Sequence, residues 1–297
     1  MKPKLNVSFS GGRTSAVMTK RCLEKYGQTH EILVTFANTG CEHLDTLRFI
    51  DDCDRHWGFN VVWLEAEINP EKGIGVGHKI VTYDTAARNG EPFEAFIAKY
   101  GIPNMTNPSC TARLKTDVIE SYLQSKGFLR GKKLNYDTAI GIRADEIDRI
   151  SVRRHKERFI YPMADEGWTK QMVVDYMKQF PWDLQIPEHL GNCTWCWKKN
   201  HRKLLTLAQD YPEVFNFPAK MEEKYSTFKA DCAAGHNGKR MFFRKQLTTQ
   251  DILKEAAKGE FKRFADPNFS YTSDFDPDYD LNIGCSESCE VYPTDGS

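Results

Sequence analysis

Ser8-Phe9-Ser10-Gly11-Gly12-Arg13-Thr14-Ser15 follows the short apolar stretch Leu5-Asn6-Val7 and leads into Ala16-Val17-Met18, which continues as a helix. A glycine-rich turn between strand and helix is an anion cradle, because glycine lets the backbone approach a phosphate and the first N–H groups of the helix point toward it. Ser10, Thr14 and Ser15 add hydroxyls to that cradle, and Ser8 sits at its entry. The GxxxxGK[ST] lysine and spacing are missing, as is GxGxxG, so the loop belongs to neither of those phosphate-binding types.

The flanking sequence sets the loop in an α/β fold. Glu31–Ala37 and Asn60–Leu64 are short, apolar and bounded by polar turns, as buried strands are. Between them His43–Trp57 carries Leu44, Leu47, Phe49, Ile50 and Trp57 at helical spacing. This β-α-β-α-β series predicts a doubly wound, mostly parallel sheet with helices on both faces and ligands at the carboxyl ends of its strands. From Glu65 to Pro108, with glycines at 73, 75, 77, 90 and 101, irregular connections around the site mouth are expected. A helix follows over Thr111–Gln124, capped by Ser109 or Thr111, then a strand at Tyr136–Ile142, a short strand at Arg158–Tyr161 and a helix at Thr169–Gln179. The expected division is a nucleotide-binding domain over 1–165 and a smaller, helical, cysteine-containing part over 166–297, ending in an acidic, aromatic segment at Asp266–Asp280.

Basic and acidic side chains balance at 41 each in 297 residues, so no global field recruits nucleic acid or anionic membrane. No apolar run approaches the roughly 20 residues that span a bilayer, and Met1-Lys2-Pro3-Lys4 is followed by a strand and not by a signal-peptide core. A cytoplasmic protein is expected, without a membrane partner. The nine cysteines are an odd number scattered through a large chain, which favours metal or redox use over a disulfide framework.

Four further segments carry candidate chemistry. Asn38, Thr39 and Gly40 end the second strand and can hold an adenosine or phosphate edge, or cap the next helix. Cys110 precedes Arg113 and Lys115 at an expected helix start, where positive potential favours the thiolate. Gly141-Ile142-Arg143-Ala144-Asp145-Glu146-Ile147-Asp148-Arg149 offers two arginine forks suited to phosphate or sulfate, although Asp145 and Arg149 also suit a simple helical charge pair. Cys193-Thr194-Trp195-Cys196 sets two thiolates at the spacing that chelates a metal or cluster iron, or that forms a redox disulfide. The leading ligand set is Cys110, Cys193 and Cys196 with Cys289 or Cys285, around a [4Fe-4S] cluster or, as the rival, zinc. Cys22 and Cys53 are assigned to packing, and Cys232 ranks lower as a ligand. Lys198, Lys199, His201, Arg202 and Lys203 after Trp195 and Trp197 form a basic, aromatic run that either docks nucleic acid or is a solvated helix face, the second being preferred.

Taken in order, SGGRTS at 10–15, NTGCEHLDTLRFI at 38–50, CTARLK at 110–115, GIRADEIDR at 141–149 and CTWC at 193–196 resemble the phosphoadenosine phosphosulfate (PAPS) reductase family of the pyrophosphatase-loop, adenine-nucleotide alpha-hydrolase-like superfamily. The resemblance implies that Ser10–Ser15 hold the phosphate or sulfate end of ATP or PAPS, that Asn38-Thr39-Gly40 lie by the nucleotide, and that Arg143 and Arg149 clamp the anion. The CT…LK element with a distant CxxC is also similar to iron–sulfur members that thiolate nucleic acid, including DNA phosphorothioation enzymes, and the compact arrangement resembles bacteriophage-borne versions, which implies a host cytoplasm. Two departures stand out. The nearest approach to the Glu-Cys-Gly-Leu-His tail of assimilatory reductases is Glu287-Ser288-Cys289-Glu290, and Ser109 stands where a twin Cys-Cys pair would require a second cysteine.

Three functions compete on this evidence. The first is ATP-dependent sulfur transfer to a nucleic-acid or small-molecule acceptor, with Arg13 and Mg²⁺ stabilising charge on the phosphates. The second is PAPS reduction, with Cys289 or Cys285 as the nucleophile and a thioredoxin-like partner. The third is a non-catalytic nucleotide binder with structural zinc. The CT…LK and CxxC combination and the imperfect tail rank sulfur transfer first, and a homodimer is among the expected assemblies.

Overall fold

The computed structural model describes residues 2–130, 134–229 and 238–264. Strand β1 (Lys4–Ser8) leads through the glycine-rich loop into α1 (Arg13–Tyr26), followed by β2 (Glu31–Asn38), α2 (Leu44–Trp57) and β3 (Val62–Ile68). An antiparallel strand β4 (Val76–Val81) and helix α3 (Glu91–Tyr100) come next. A π-helical turn at Ala112–Thr116 runs into α4 (Asp117–Ser125), then β5 (Tyr136–Ala139), α5 (Arg154–Glu157), β6 (Phe159–Ile160) and α6 (Pro162–Asp165). The described chain closes with α7 (Lys170–Met177), α8 (His201–Asp210), α9 (Asn216–Tyr225) and α10 (Thr249–Lys258).

The six strands form one sheet in the order β4-β3-β2-β1-β5-β6. All neighbours are parallel except β3 and β4, which pair antiparallel from Trp63↔Val81 to Ile68↔Val76. Val7 of β1 faces Val34 of β2 on one side and Ala139 of β5 on the other. The chain therefore winds outward from β1 in one direction through β2 and β3, then in the other through β5 and β6. A reversal of this kind opens a crevice at the carboxyl ends of the strands it separates, and here those ends carry the glycine-rich loop and Gly141–Arg143.

Local chemistry accounts for the elements that frame the crevice. In α2 the His43 ring accepts the Asp45 N–H at 3.1 Å as the N-cap, and Gly58 ends the helix at φ 64°. Leu47, Phe49, Ile50 and Cys53 of that helix are buried. The cap is thus His43, and neither Asn38 nor Thr39 fills that role. In α7 the Thr169 hydroxyl caps the Met172 N–H.

The expected irregular stretch from 65 to 108 is instead partly ordered as β4 and α3. An edge strand with Gly75 and Gly77 in or beside it shows little apolar alternation, whereas α3 buries Phe93, Phe96 and Ile97 between Gly90 and Gly101. The helix expected from Thr111 begins as the π-helical turn, without a side-chain cap from Thr111. Ser109 Oγ donates to Asn107 Oδ1 at 2.8 Å. One apolar cluster runs from Leu5 and Val7 of β1 through Val173 and Met177 of α7 to Leu204, Ile252 and Ala256, so the C-terminal helices share the core of the sheet.

Candidate nucleotide site and its cysteine turn

The loop is organised by its own hydroxyls. Ser15 Oγ accepts the Ser10 N–H at 3.2 Å and the Ser10 hydroxyl at 3.0 Å, and donates to Gly12 O at 2.9 Å. Gly11 has φ +81°, and a Cβ there would meet Thr46 Cγ2 at 2.8 Å and Ile50 Cδ1 at 2.9 Å. Gly141 approaches from β5 so closely that a Cβ on it would lie 3.3 Å from Ser15 Cα. Helix α1 has no acidic residue in its first turn, so no carboxylate of its own offsets the positive end of its dipole.

A cleft of about 920 Å³, its open mouth included, lies over this loop. Ser10, Gly11, Gly12, Arg13, Thr14, Ser15, Thr46, Gly141, Arg143 and Glu146 form its polar side. Lys170, Val173, Val174, Leu184, Ile186, Pro187, Gly191 and Asn192 form the opposite wall. Arg143 donates through Nη1 to Thr14 Oγ1 at 3.2 Å and through Nε to Asp145 Oδ1 at 2.8 Å, and lies 3.3 Å from Glu146 Oε2. Asp145 also accepts the Lys170 N–H at 3.2 Å, tying α7 to this corner. Arg13 reaches across the cleft to Asp183, with Nε 2.8 Å from Oδ1, and its Nη2 donates to the Leu184 carbonyl.

Of the residues expected to bind nucleotide, the cleft gathers the whole of Ser10–Ser15 with Gly141 and Arg143. Ser8, Asn38, Thr39, Gly40 and Arg149 do not line it. Ser8 is buried behind the loop, with Oγ unpartnered among the described residues. Asn38 donates to Glu65 Oε1 at 2.7 Å and to Ala87 O at 2.9 Å, and its Oδ1 accepts the Gly40 N–H at 3.2 Å. Thr39 donates both N–H and hydroxyl to Glu42. Arg149 is buried and bonds Glu146 through Nη1. Sequence reasoning passed over Thr46, the wall residues Val173, Val174, Leu184, Ile186 and Pro187, and Asp183 behind Arg13, all brought to the site by tertiary packing.

The cysteines divide into separate environments. Cys196 N donates to Cys193 O at 3.0 Å, closing the CxxC turn, and both residues are buried, at 8% and 7% exposed. Lys199 Nζ donates to the carbonyls of Gly191 at 2.7 Å and Cys193 at 2.9 Å, holding the turn from outside. The turn docks on the end of β2: Glu42 and Cys193 form an isolated antiparallel bridge, Thr194 N donates to Cys41 O at 3.0 Å, and Thr39 Oγ1 lies 3.4 Å from Cys193 Sγ. Burial first, then the neighbouring Cys193 and Glu42, push the Cys41 thiol well above the ordinary thiol range. Cys41 is therefore a near neighbour of the turn that the sequence did not single out. Cys22 and Cys53 are buried core residues, with burial pushing the Cys22 thiol up to about 12.

Cys110 is half-buried beside the π-helical turn. Arg113 Nη1, expected to supply it with positive potential, lies 2.6 Å from Asp117 Oδ2. Among the described residues no group of three or more His, Cys, Asp or Glu side chains is gathered that could hold a metal. Cys232, Cys285, Cys289 and the Asp266–Asp280 segment lie outside the described residues.

Burial removes the aromatic half of the nucleic-acid alternative for the 198–203 run, whose preferred reading is a solvated helix face. Trp195 and Trp197 are each only 2% exposed, with Trp195 packed on Phe93, Phe217 and Phe242, so neither offers a face for a base to stack on. His201 Nε2 lies 2.8 Å from Glu255 Oε1, and Arg202 Nε donates to the Lys262 carbonyl at 3.2 Å. No helix among the described residues is long and apolar enough to cross a membrane.

Residues 4–106 match the phosphoadenosine phosphosulfate reductase domain. The chain is 33% identical over 294 residues to the uncharacterized nin region protein ORF290 of Escherichia phage lambda, covering 96% of this chain and 94% of that one. It is 25% identical over 251 residues to the uncharacterized protein MJ0066 of Methanocaldococcus jannaschii, spanning 80% of this chain but 44% of the relative. A slighter likeness, with TM-score 0.38 and 13% identity over 88% of this chain and 74% of the other, is to the U34-tRNA thiolase NcsA of Methanococcus maripaludis with its [4Fe-4S] cluster. With the loop, its cleft and the reversed parallel sheet in place, the chain belongs to one family with the nin region protein ORF290 of phage lambda, and its residues 4–106, which carry the loop, match the phosphoadenosine phosphosulfate reductase domain.

Proposed function

We propose that this chain binds ATP by its phosphates on Ser10–Ser15 and Arg143 and uses it to activate an acceptor for sulfur transfer. The observation that supports this reading is continuity: Gly191 and Asn192 line the phosphate cleft and run directly into the buried Cys193–Cys196 turn. Nucleotide chemistry and sulfur chemistry would then share one wall.

An acceptor oxygen attacks the α-phosphorus, the bond to the β-phosphate bridging oxygen breaks, and pyrophosphate leaves on the loop. The loop N–H groups, the Ser10 and Thr14 hydroxyls and Arg143 hold the charge that builds on the departing phosphates. Mg²⁺ accompanying the nucleotide shares that role. A hydrosulfide donor then forms the carbon–sulfur bond at the activated acceptor, and AMP leaves with the electron pair of the broken carbon–oxygen bond. Cys193 and Cys196, two shielded thiols in one turn, suit the sulfur-rich shell of a [4Fe-4S] cluster, with Cys110 and Cys289 or Cys285 as the further ligands expected from sequence. Bound there, a cluster supplies iron with affinity for sulfide.

The test is anaerobic purification with iron, sulfide and zinc content and visible absorption, for wild type and Cys193→Ser, alongside calorimetric titration with ATP. Tight ATP binding and a brown protein of about four irons that Cys193→Ser bleaches support the reading. Stoichiometric zinc in a colourless protein would overturn the cluster, and sulfite release from PAPS that is lost in Cys289→Ser would replace transfer by reduction.

A further inference from the structure

We infer that the Thr46 hydroxyl is a direct donor to the anion held on the Ser10–Ser15 loop, an inference that rests on the nucleotide reading above. Thr46 lies in the first turn of the 14-residue helix α2 and lines the cleft. Its residue is 4% exposed, and its Oγ1 is buried with no hydrogen-bond partner among the described residues.

A threonine inside a helix ordinarily satisfies its hydroxyl on a carbonyl one turn back, as Thr19 does on Ser15 O at 2.7 Å. Thr46 has no such bond, although His43 O is one turn behind it. A buried polar group left unmade is costly, so one that lines a cleft is best explained by a partner that arrives with the ligand.

The packing places Thr46 against the right atoms. A Cβ built on Gly11 would lie 2.8 Å from Thr46 Cγ2, so the side chain abuts the backbone that cradles the phosphate. The methyl faces the loop, and one step to a neighbouring staggered rotamer turns the hydroxyl there in its place. Gly11 at φ +81° thus does two things: it turns the loop, and it leaves room for Thr46 beside the anion. The ligand class is a phosphate or sulfate oxygen at the loop end of a nucleotide. Helix α2 would then join α1 in presenting its N-terminal turn to the same charge.

Thr46→Val keeps the shape and removes the donor. Binding of MgATP and of inorganic tripolyphosphate is measured by calorimetry, and thermal midpoints are read with and without each ligand. The expected result is about tenfold weaker binding of both probes in Thr46→Val, equivalent to ~1.4 kcal/mol. The midpoint without ligand should be equal or higher, because an unsatisfied buried hydroxyl is gone, and the ligand-induced rise should shrink. Thr46→Ser should bind within about threefold of wild type. Thr46→Ala repeats the test if the valine packs badly.

Binding by Thr46→Val and Thr46→Ala within about twofold of wild type would overturn the inference. So would a midpoint that falls in the absence of ligand in step with affinity, since that marks a structural hydroxyl. Wild type that binds neither probe overturns the nucleotide reading itself and the inference with it.

Discussion

The two walls of the cleft are built on opposite plans. One is a contiguous run, Ser10–Ser15, whose hydroxyls bond one another and whose positive helix end carries no acidic residue in its first turn. The other is assembled from Val173 and Val174 on α7, Leu184, Ile186 and Pro187 beyond it, and the Gly191–Asn192 lead into the cysteine turn. The first is polar and fixed by backbone geometry, the second mostly apolar and fixed by packing. Arg13, through Asp183 and the Leu184 carbonyl, and Asp145, through the Lys170 N–H, tie the two together. The difference implies that the loop wall sets what anion binds, and that the far wall sets what the anion is attached to.

The sharpest way to break that division is Gly11→Ala. A non-glycine residue in the left-handed region costs about 1–3 kcal/mol, and here the new Cβ also meets Thr46 and Ile50 at under 3 Å. Displacing the loop by an ångström is expected to weaken tripolyphosphate binding about 100-fold, the scale on which small misplacements act. Calorimetry and urea unfolding check both effects, and near-normal binding would show that the loop tolerates another path.

Arg143→Gln comes next. The guanidinium bridges Thr14 on the loop to Asp145, and its loss removes one charge-assisted contact to phosphate. Affinity for tripolyphosphate should fall about tenfold, with a shallower dependence on salt. Equal affinity at low salt would assign Arg143 to holding Asp145 and Glu146 in place and nothing more.

Asp183→Asn sharpens the contrast from the other side. The Asp183 carboxylate occupies Arg13, which would otherwise face an anion on the loop. Neutralising it should tighten tripolyphosphate binding about threefold while lowering stability by about 1 kcal/mol, the ordinary scale of a part-exposed ion pair. Weaker binding in Asp183→Asn would mean that Arg13 must be held by Asp183 to serve the site.

These variants also show which parts of the molecule could be read from the chain. The loop, β1 to β3 and the Gly141–Arg143 segment were legible because each is local: a strand period, a glycine pair, a run that follows a strand. Strand β4 was not, since an edge strand with glycines and exposed Lys79 and Ile80 carries no alternation. Asp183 and Thr46 were invisible as site residues because their roles come from packing across 170 residues in one case and from a neighbouring helix in the other. Trp195 and Trp197 show the reverse failure. Aromatics beside lysines suggest a stacking surface in sequence, but Trp195 is buried against Phe93, Phe217 and Phe242 and Trp197 is buried as well, which leaves the basic side chains of 198–203 nearer solvent. Asn38 and Thr39 fall between, correctly placed at the carboxyl end of β2 yet bonded inward to Glu65 and Glu42.

The smallest effect on binding should come from Glu222, which lies on α9 and does not line the cleft. Its carboxylate accepts the Phe242 N–H at 3.3 Å and the Thr249 N–H at 2.8 Å, stapling α10 and the segment before it onto α9. Burial outweighs these bonds and, with Asp251 nearby, raises the Glu222 carboxyl above the ordinary carboxylate range. A raised value means that the folded protein holds this proton more tightly than the unfolded chain does. The stabilisation is therefore complete below the unfolded value of about 4.3 and is lost as pH rises through the folded one. Glu222→Gln keeps an acceptor for one backbone N–H and removes the titration, so its urea midpoint should gain on that of wild type as pH is raised from 4 to 8. Tripolyphosphate affinity should be unchanged in that variant. A wild type that gains on Glu222→Gln toward pH 8 would mean that the two backbone donors outweigh burial, and altered ligand affinity would show that the packing of α9 and α10 reaches the cleft through the core they share with α7.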